Sequence, residues 1–121
     1  MNVLITGACG FIGRNLIAEL EGEHVLRLAD AARPEEATMF GGANGRTPAP
    51  FTPNWPFVHV DITDLEGMQR ACEGMDAIVH LAADPTGHAE NGKEIMQVNV
   101  VGTYVVLDAA RMAGVKRVLC A

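Results

Sequence analysis

The sequence predicts an α/β fold, a doubly wound parallel sheet of five strands, and three observations lead to it. Short apolar runs alternate with helical patterns from the first residues onward. The apolar runs lack polar alternation, so the sheet is expected to be covered on both faces. With 121 residues, 49% of them hydrophobic, the chain has room for one packed domain, residues 1–121. Right-handed crossovers then favour the strand order 3-2-1-4-5.

The strands are the short apolar runs, which stop at a glycine, an aspartate or a loop. The predicted strands are residues 2–6, 24–29, 57–60, 77–82 and 116–121.

Three helices are predicted between these strands. The first covers residues 11–21, and the second begins at a capping-box pattern, Thr63-x-x-Glu66. The third is longer, residues 90–113, and ends before Gly114. On the first helix Ile12, Leu16 and Leu20 recur at four-residue steps, and on the second the side chains predicted to face inward are Leu65, Met68 and Cys72.

Charge and hydropathy exclude two classes of partner. The chain carries 9 Lys and Arg against 15 Asp and Glu, a net charge of −6, and it has no basic run. Nucleic acid and anionic membranes are therefore poor partners. No apolar stretch approaches the roughly 20 residues that span a bilayer. A strand that begins at Asn2 leaves no targeting segment, and the expected location is cytoplasmic.

The cysteines and histidines predict neither a disulfide scaffold nor a metal site. The odd number of cysteines, Cys9, Cys72 and Cys120, forms no C-x-x-C pair and fits a reduced protein. The four histidines have no metal-ligand spacing, so no metal is expected. His80 is predicted to be a hydrogen-bonded core residue. Cys9 is interpreted as a small loop residue, although a helix N-terminus can lower the pKa of a thiol.

A glycine-rich motif stands between the first strand and the first helix. Residues 6–13 read T-G-A-C-G-F-I-G, with the spacing G-x-x-G-x-x-G. Gly7 permits a tight turn, Gly10 lets the backbone approach a pyrophosphate, and Gly13 lets the helix lie close to the sheet. Free amides and the helix dipole then bind the anion. This context favours nucleotide binding over a simple turn.

Asp30 closes the second strand, 23 positions after Gly7. A carboxylate at this place accepts hydrogen bonds from the ribose hydroxyls of adenosine. It also repels a 2′-phosphate, which favours NAD over NADP, although Arg33 lies close enough in sequence to weaken that repulsion. The alternative is that Asp30 is a solvated loop residue.

Residues 33–56 interrupt the alternation of strands and helices. They contain five of the six prolines, the pairs Gly41-Gly42 and Asn44-Gly45, and Trp55, which looks exposed. This composition disfavours helix and sheet, so a long surface loop is predicted in place of a crossover helix. Loops of this length are functional or mobile, and we interpret this one as a mobile segment near the adenine end of a ligand site.

These features resemble the N-terminal, Rossmann portion of an extended short-chain dehydrogenase/reductase in the NAD-dependent epimerase/dehydratase family. The matching residues are T-G-A-C-G-F-I-G at 6–13, Asp30, Asp61-Ile62, His80-Leu81-Ala82-Ala83, Asn99 in V-N-V-V-G-T, and the final R-V-L-C-A. The resemblance covers nearly the whole chain apart from residues 33–56. The loop at 83–88 is similar to that of uronate-dehydrogenase-like members, and there Thr86 or His88 would contact substrate.

The resemblance implies a cofactor role for most of the matching residues. The implied cofactor-binding residues are Gly7, Cys9, Gly10, Phe11, Ile12, Gly13, Asp30, Asp61, Ile62, Leu81, Ala82, Ala83 and Asn99. Asp61 and Ile62 would border the adenine, and residues 81–83 would line the path toward the nicotinamide ribose. Asn99 would fix the geometry of the central helix rather than contact substrate. Alternatively, Asp61 caps the next helix and the apolar residues belong to the core.

The catalytic residues of that family are a Ser or Thr beyond the fifth strand and a Tyr-x-x-x-Lys motif, and neither is matched. Tyr104 is followed four residues later by Asp108. We therefore expect no catalytic residue here and an incomplete domain. It would be the NAD-binding part of a longer epimerase, dehydratase or dehydrogenase that transfers hydride on a sugar or sugar-nucleotide, and it would be inactive alone. The alternative is a catalytically silent NAD(P)-binding sensor.

The predicted helix at 90–113 is apolar on every side, because nine of the thirteen residues from Ile95 to Leu107 are apolar. One face would cover the sheet, and the other carries Met96, Val100 and Tyr104. In the family that the chain resembles, this helix pairs across a dimer axis, which implies a homodimer. The alternative is that later segments of the same chain cover this face.

Overall fold

The computed structural model describes residues 1–40, 45–87 and 89–121. Its strands, in chain order, are β1 (Asn2–Thr6), β2 (Val25–Asp30), β3 (Thr38–Phe40), β4 (Arg46–Pro48), β5 (Phe57–His59), β6 (Ala77–His80) and β7 (Arg117–Cys120). Five of them form a parallel sheet in the order β5-β2-β1-β6-β7. This is the predicted order 3-2-1-4-5, so the doubly wound fold is confirmed.

The helices of the described residues are α1 (Phe11–Leu20), α2 (Leu65–Cys72), α3 (Gly92–Met96) and α4 (Thr103–Met112). The single helix predicted over 90–113 is wrong in detail. A 3₁₀ turn at Ala89–Asn91 precedes α3, and a π-helical segment at Gln97–Gly102 joins α3 to α4. Directly after that segment, Thr103 Oγ1 donates back to the carbonyl of Asn99 at 2.7 Å, and such back-bonding bends helices.

Alternate residues of each strand enter opposite faces of the sheet, so two apolar clusters form. Val3 and Ile5 pack with α1 on one face, whereas Leu4 packs with α2 and α4 on the other. Both faces are covered over the central strands β2, β1 and β6, as the apolar runs predicted, whereas the edge strand β7 is mostly exposed. Leu65, which was predicted to face inward, is 38% exposed. It is the first residue of α2, and the side chains that α2 buries come from its later positions, among them Met68 and Cys72.

The N-cap of α2 is Asp64 and not the predicted Thr63. Asp64 Oδ1 accepts a hydrogen bond from the N–H of Gly67 at 3.1 Å. Thr63 uses its own N–H and hydroxyl to bind Asp61 Oδ1, at 2.9 and 2.7 Å. The predicted cap was one residue too early, because the Thr63 hydroxyl is turned back to donate to Asp61 Oδ1 and the carboxylate of Asp64 accepts the helix N–H instead.

The prediction that residues 33–56 form neither helix nor sheet is wrong. Pro34–Glu36 form a 3₁₀ turn, and β3 pairs antiparallel with β4. The prolines fit because Pro34 opens the turn and Pro48 ends β4, so neither removes a needed N–H donor. Residues 41–44 lie outside the described residues. Trp55, which looks exposed in the sequence, is half-buried and packs against the apolar cluster that contains Val3 and Ile5. Residues 33–56 thus take the place of a crossover helix here.

Candidate functional site

The glycine-rich turn lies at the carboxyl edge of the sheet, between β1 and α1. Gly7 has a φ of +71°, and a Cβ there would lie 2.7 Å from Ala82 N and 2.8 Å from Leu81 C. Glycine is therefore required both by the backbone conformation and by the chain that continues from β6. A Cβ on Gly13 would overlap the Gly7 carbonyl, so this residue lets α1 approach the turn itself.

The N-terminus of α1 leaves backbone donors free. Gly10 is the N-cap and supplies no side-chain acceptor. Its N–H donates to Gly7 O at 3.1 Å, and its carbonyl accepts from Arg14 N at 3.1 Å. Within the described part of the chain, nothing accepts a hydrogen bond from the N–H groups of Phe11 and Ile12. Because both side chains are exposed, an anion at this corner would meet free donors.

Asp30 lies beside this turn and holds it in place. Its Oδ2 accepts the N–H of Cys9 at 2.9 Å, and its Oδ1 accepts the N–H of Ala32 at 2.9 Å. Asp30 is half-buried, so the alternative of a solvated loop residue is wrong. Each carboxylate oxygen has a second lone pair, which leaves acceptor capacity for a ligand hydroxyl. The ordering of the glycine-rich turn by Asp30 was not predicted from the sequence.

The thiol of Cys9 is unsuited to nucleophilic chemistry. Burial, followed by the negative charge of Asp30, raises the pKa of Cys9 to about 12. The positive charge of Arg14 lowers the pKa of this thiol, but its effect is smaller than those of burial and of Asp30. The thiol donates to the carbonyl of Ala32 at 3.5 Å, so Cys9 is a buried packing residue of the turn, as interpreted.

Arg14 connects the glycine-rich turn with the segment at 33–56. Its Nε donates to the carbonyl of Cys9 at 3.0 Å, and its Nη2 contacts the carbonyl of Ala49. Its guanidinium lies 4.2 Å from the centroid of the Phe51 ring. Arg14 was not among the residues predicted from the sequence, where the available signal was a cation directly after the third glycine of the motif.

Asp61 and Ile62 follow β5, next to the end of β2. The carbonyl of Asp30 accepts the N–H of Val60 at 3.0 Å, which places Asp61 near the Asp30 corner. Asp61 is exposed and uses one oxygen in the turn with Thr63, so it serves the turn before α2 and keeps a free edge toward solvent. Ile62 is buried against Gly102, which favours the core interpretation for its side chain.

The chain after β6 forms the other side of this corner. The N–H groups of Leu81 and Ala82 donate to Thr6 Oγ1 at 3.3 and 3.4 Å, and Ala83 is exposed. Asn99 Oδ1 accepts the N–H of Asp84 at 2.7 Å, and Asn99 Nδ2 donates to the Asp84 carbonyl at 2.9 Å. Asn99 therefore fixes this loop as well as lying in the central helix.

Asp84 and Thr86 order the loop internally. Thr86 donates to Asp84 Oδ1 from its N–H at 2.9 Å and from its hydroxyl at 2.7 Å. These bonds lower the pKa of Asp84, and the positive charge of Arg46 on β4 adds to the effect. Arg46, in the segment at 33–56, thus interacts electrostatically with Asp84 in this loop. His88, named as a substrate contact in the sequence analysis, lies outside the described residues.

The described residues show neither a metal cluster nor a membrane span. No group of three or more His, Cys, Asp or Glu side chains comes together in the part of the chain that the structure describes. None of the helices in that same part has the length and apolar character needed to cross a bilayer. Tyr104 lies on α4 and is 67% exposed.

Comparisons with known proteins agree with this geometry. Residues 3–121 match the model of the NAD-dependent epimerase/dehydratase family. The chain is 32% identical over 120 residues to dTDP-glucose 4,6-dehydratase of Mycobacterium tuberculosis, with 96% of this chain and 34% of that protein covered.

Two solved structures share the fold. A variant of uronate dehydrogenase from Agrobacterium tumefaciens, complexed with NAD, superposes with a TM-score of 0.76 at 30% identity, covering 99% of this chain and 40% of that one. The UDP-glucose 4-epimerase of Thermus thermophilus, in complex with NAD, has a TM-score of 0.77 at 28% identity, covering 98% of this chain and 36% of that one. The chain thus spans between 34% and 40% of the length of these relatives. On the evidence of the glycine-rich turn, the sheet order and the match over residues 3–121, this chain belongs to the NAD-dependent epimerase/dehydratase family.

Proposed function

We propose that this chain is the dinucleotide-binding part of an NAD-dependent enzyme that transfers hydride on a sugar or sugar-nucleotide. The observation that carries the proposal is the junction of Asp30 with the free N–H groups of Phe11 and Ile12 at one corner of the sheet. Two structural relatives are complexed with NAD, and the relatives are named for a dehydratase, a dehydrogenase and an epimerase of sugars. The reaction type is therefore left open among these three.

Each group of residues at this corner would contact a different part of the cofactor. The N–H groups of Phe11 and Ile12 would bind the diphosphate, and Asp30 would accept the hydroxyls of the adenosine ribose. Asp61 would border the adenine on the side of β5. Residues 81–83 would contact the nicotinamide ribose, and Asn99 in the π-helical segment would hold the next residue, Asp84. When bound, NAD supplies the hydride-transferring nicotinamide ring.

We further propose that residues 1–121 form one NAD(P)-binding domain that binds cofactor without turnover. The support is that the sole tyrosine, Tyr104, has Asp108 at the fourth following position, so Tyr-x-x-x-Lys is not matched. The serine and the Tyr-x-x-x-Lys motif would then come from outside these residues. A cytoplasmic location is proposed on the three free cysteines, Cys9, Cys72 and Cys120.

We also propose a homodimer through the helical segment between Gly92 and Met112. Its outer face carries exposed apolar side chains that no described residue covers, namely Met96, Val100, Tyr104 and Leu107. The alternative occupant is a further segment of a longer chain.

Calorimetric titration of the chain with NAD and with NADP tests the main proposal. Gly10→Ala is the informative variant, because its Cβ would lie 3.3 Å from Gly7 O, so that this carbonyl must shift by a few tenths of an ångström, and would stand where the diphosphate approaches. We expect a loss of NAD affinity of about tenfold or more with little change in melting temperature. Gly22→Ala is the matched control, since nothing lies within 4 Å of its Cβ. Equal NAD affinities of the two variants would contradict the proposal.

Cofactor preference is tested at Asp30. Asp30→Ala and Asp30→Asn remove the charge that repels a 2′-phosphate, so the preference for NAD over NADP should narrow by about tenfold. Asp76→Asn is the matched control, because this carboxylate also accepts a backbone N–H, that of Asn2 at 2.7 Å. An unchanged ratio of the two affinities in the Asp30 variants would refute this role.

A further inference from the structure

A buried hydrogen-bond chain begins where β1 and β6 lie side by side. Thr6 and His80 are register partners on these strands, and they are 0% and 3% exposed. Thr6 Oγ1 lies 2.8 Å from His80 Nδ1. On the other side of the ring, His80 Nε2 lies 3.1 Å from Thr103 Oγ1, the first residue of α4. One imidazole therefore joins two strands of the sheet to the helix that covers them.

The direction of each hydrogen bond follows from the number of protons available. Thr103 has one hydroxyl proton and donates it to the carbonyl of Asn99 at 2.7 Å, so its oxygen must accept from His80 Nε2–H. The ring is then neutral with Nδ1 as an acceptor, and Thr6 donates its hydroxyl proton to it. With these directions, both hydroxyls and both ring nitrogens have a hydrogen-bond partner, as buried polar atoms normally do.

The two ends of this row of hydrogen bonds are attached to the two ends of the loop after β6. At the near end, Thr6 Oγ1 accepts the N–H groups of Leu81 and Ala82, at 3.3 and 3.4 Å, and the backbone carbonyl of Thr6 also accepts the N–H of Leu81, at 3.2 Å. At the far end, Asn99 binds both backbone polar groups of Asp84. The His80–Thr103 pair connects these two attachments through the interior of the protein, beneath residues 81–84.

We propose that His80 and Thr103 are positioning residues, which hold the loop at 81–84 in the conformation that receives the nicotinamide half of the dinucleotide. The inference rests on the proposed function. The adenosine half is held by a separate set of contacts, with Asp30 and the glycine-rich turn, and none of these passes through His80 or Thr103. Loosening the pair should therefore weaken NAD binding and spare ADP binding.

Thr103→Val tests this pair, because valine keeps the shape of threonine and removes its hydroxyl. We expect the Kd for NAD to rise about fivefold or more, the loss of roughly one buried hydrogen bond, while the Kd for ADP changes by less than about twofold. Thr103→Ser keeps the hydroxyl and should restore NAD binding. Thr47→Val is the matched control, since Thr47 is exposed on β4 and its hydroxyl has no hydrogen-bond partner among the described residues. Thr103→Ala repeats the test should the valine variant fold poorly.

Amide hydrogen exchange gives a second measurement that needs no cofactor. The N–H of Asp84 should exchange about tenfold faster in Thr103→Val than in Thr103→Ser, because its acceptor Asn99 is then less firmly held. Exchange at the N–H of Met68, which donates to Asp64 O in α2, should not change. Equal losses of NAD and ADP affinity, or unchanged exchange at Asp84, would overturn the inference. If the unmutated chain binds neither nucleotide, but Thr103→Val and Thr103→Ser still differ in exchange at Asp84, only the proposed function is overturned.

Discussion

Cys9 lies between two charged side chains that hold the two polar groups of its backbone. Its N–H donates to Asp30, and its carbonyl accepts from Arg14. Charge-assisted hydrogen bonds are stronger than neutral ones, so the peptide units on both sides of Cys9 have little freedom to turn. The glycine-rich turn thus combines residues chosen for small size with one residue that is clamped by its neighbours.

The reactivities of the three cysteines should differ widely. Cys120 is exposed, whereas burial raises the pKa of Cys9 to about 12 and that of Cys72 to about 11. A thiol with a pKa near 12 is about one part in ten thousand thiolate at a pH near 8, so Cys9 should label very slowly. With a disulfide-exchange reagent we expect one fast thiol per chain, which Cys120→Ser removes. A fast phase that persists in Cys120→Ser and disappears in Cys9→Ser would contradict the prediction that burial keeps the Cys9 thiol protonated and unreactive.

His80 should make the folded chain less stable in acid. Its burial lowers the pKa of the imidazole below the ordinary value of 6.5, so the unfolded chain takes up the proton first. The stability that comes from a neutral His80 is fully present above that ordinary value and is lost as the pH falls through the lower, folded-state pKa. Urea unfolding of the wild type and of His80→Gln, at pH values of about 7.5 and about 5, should show the stability advantage of the wild type shrinking. His24→Gln is the control, and a constant advantage would contradict the prediction.

At the scale of elements, the helices show where local sequence patterns are overruled. The segment from Gly92 to Met112 begins as α3, widens into a π turn and continues as α4. Gly102 lies in the π turn, and a Cβ there would lie 2.5 Å from Ile62 Cδ1. The π turn also carries Asn99, whose side chain binds the loop at 81–84. A π segment is often found at functional sites, and here it presents one side chain to the loop of the candidate site.

The N-terminus of α2 offers a comparison between the predicted and the observed cap. Asp64→Ala removes the acceptor for the N–H of Gly67 and should lower the free energy of unfolding by about 1 kcal/mol. Thr63→Ala removes only a hydroxyl bond to Asp61 in an exposed turn and should cost less than about 0.5 kcal/mol. Urea denaturation measures both. A larger decrease in the free energy of unfolding in Thr63→Ala than in Asp64→Ala would indicate that Thr63 is the N-cap, as the sequence pattern predicts.

For the whole molecule, the main feature is a sheet whose central strands are covered on both faces, beside a helical face that remains apolar and exposed. α4 sends Val106 and Ala109 into the core, and its opposite side carries Tyr104 and Leu107. β7 forms one edge of the sheet, and Leu119 on it is exposed. Neighbouring apolar side chains in contact with water mark an association surface.

Self-association through this face is expected for the isolated chain. Tyr104→Glu places a charge at its centre, so a dimer measured by light scattering should shift toward monomer by about tenfold or more in dissociation constant. Leu65→Glu is the matched control, because Leu65 is also exposed but lies on α2. A dimer of unchanged strength in Tyr104→Glu would rule out this face as the dimer interface.

Much of the fold and part of the candidate site were predictable from the sequence. Continuous apolar runs predict a sheet covered on both sides, since burial depends on local composition. The turn at Gly7 was predictable as well, because a left-handed backbone conformation needs a residue without a Cβ. Contacts between distant segments were not predictable. Arg14 reaches Ala49, and His80 reaches Thr103, by pairings that no spacing along the chain encodes.

By itself the sequence determined the order of the elements, the parallel sheet and the place of the glycine-rich turn, because these follow from periodicity and from the conformational limits of single residues. Only the tertiary structure decided what surrounds each polar group. It put the carboxylate of Asp30 on the N–H of Cys9 and raised the pKa of that thiol, and it closed the hydrogen-bond chain through His80. The reason is physical: hydrogen bonding and desolvation depend on distances in space, and the folded chain brings together residues that lie far apart in sequence.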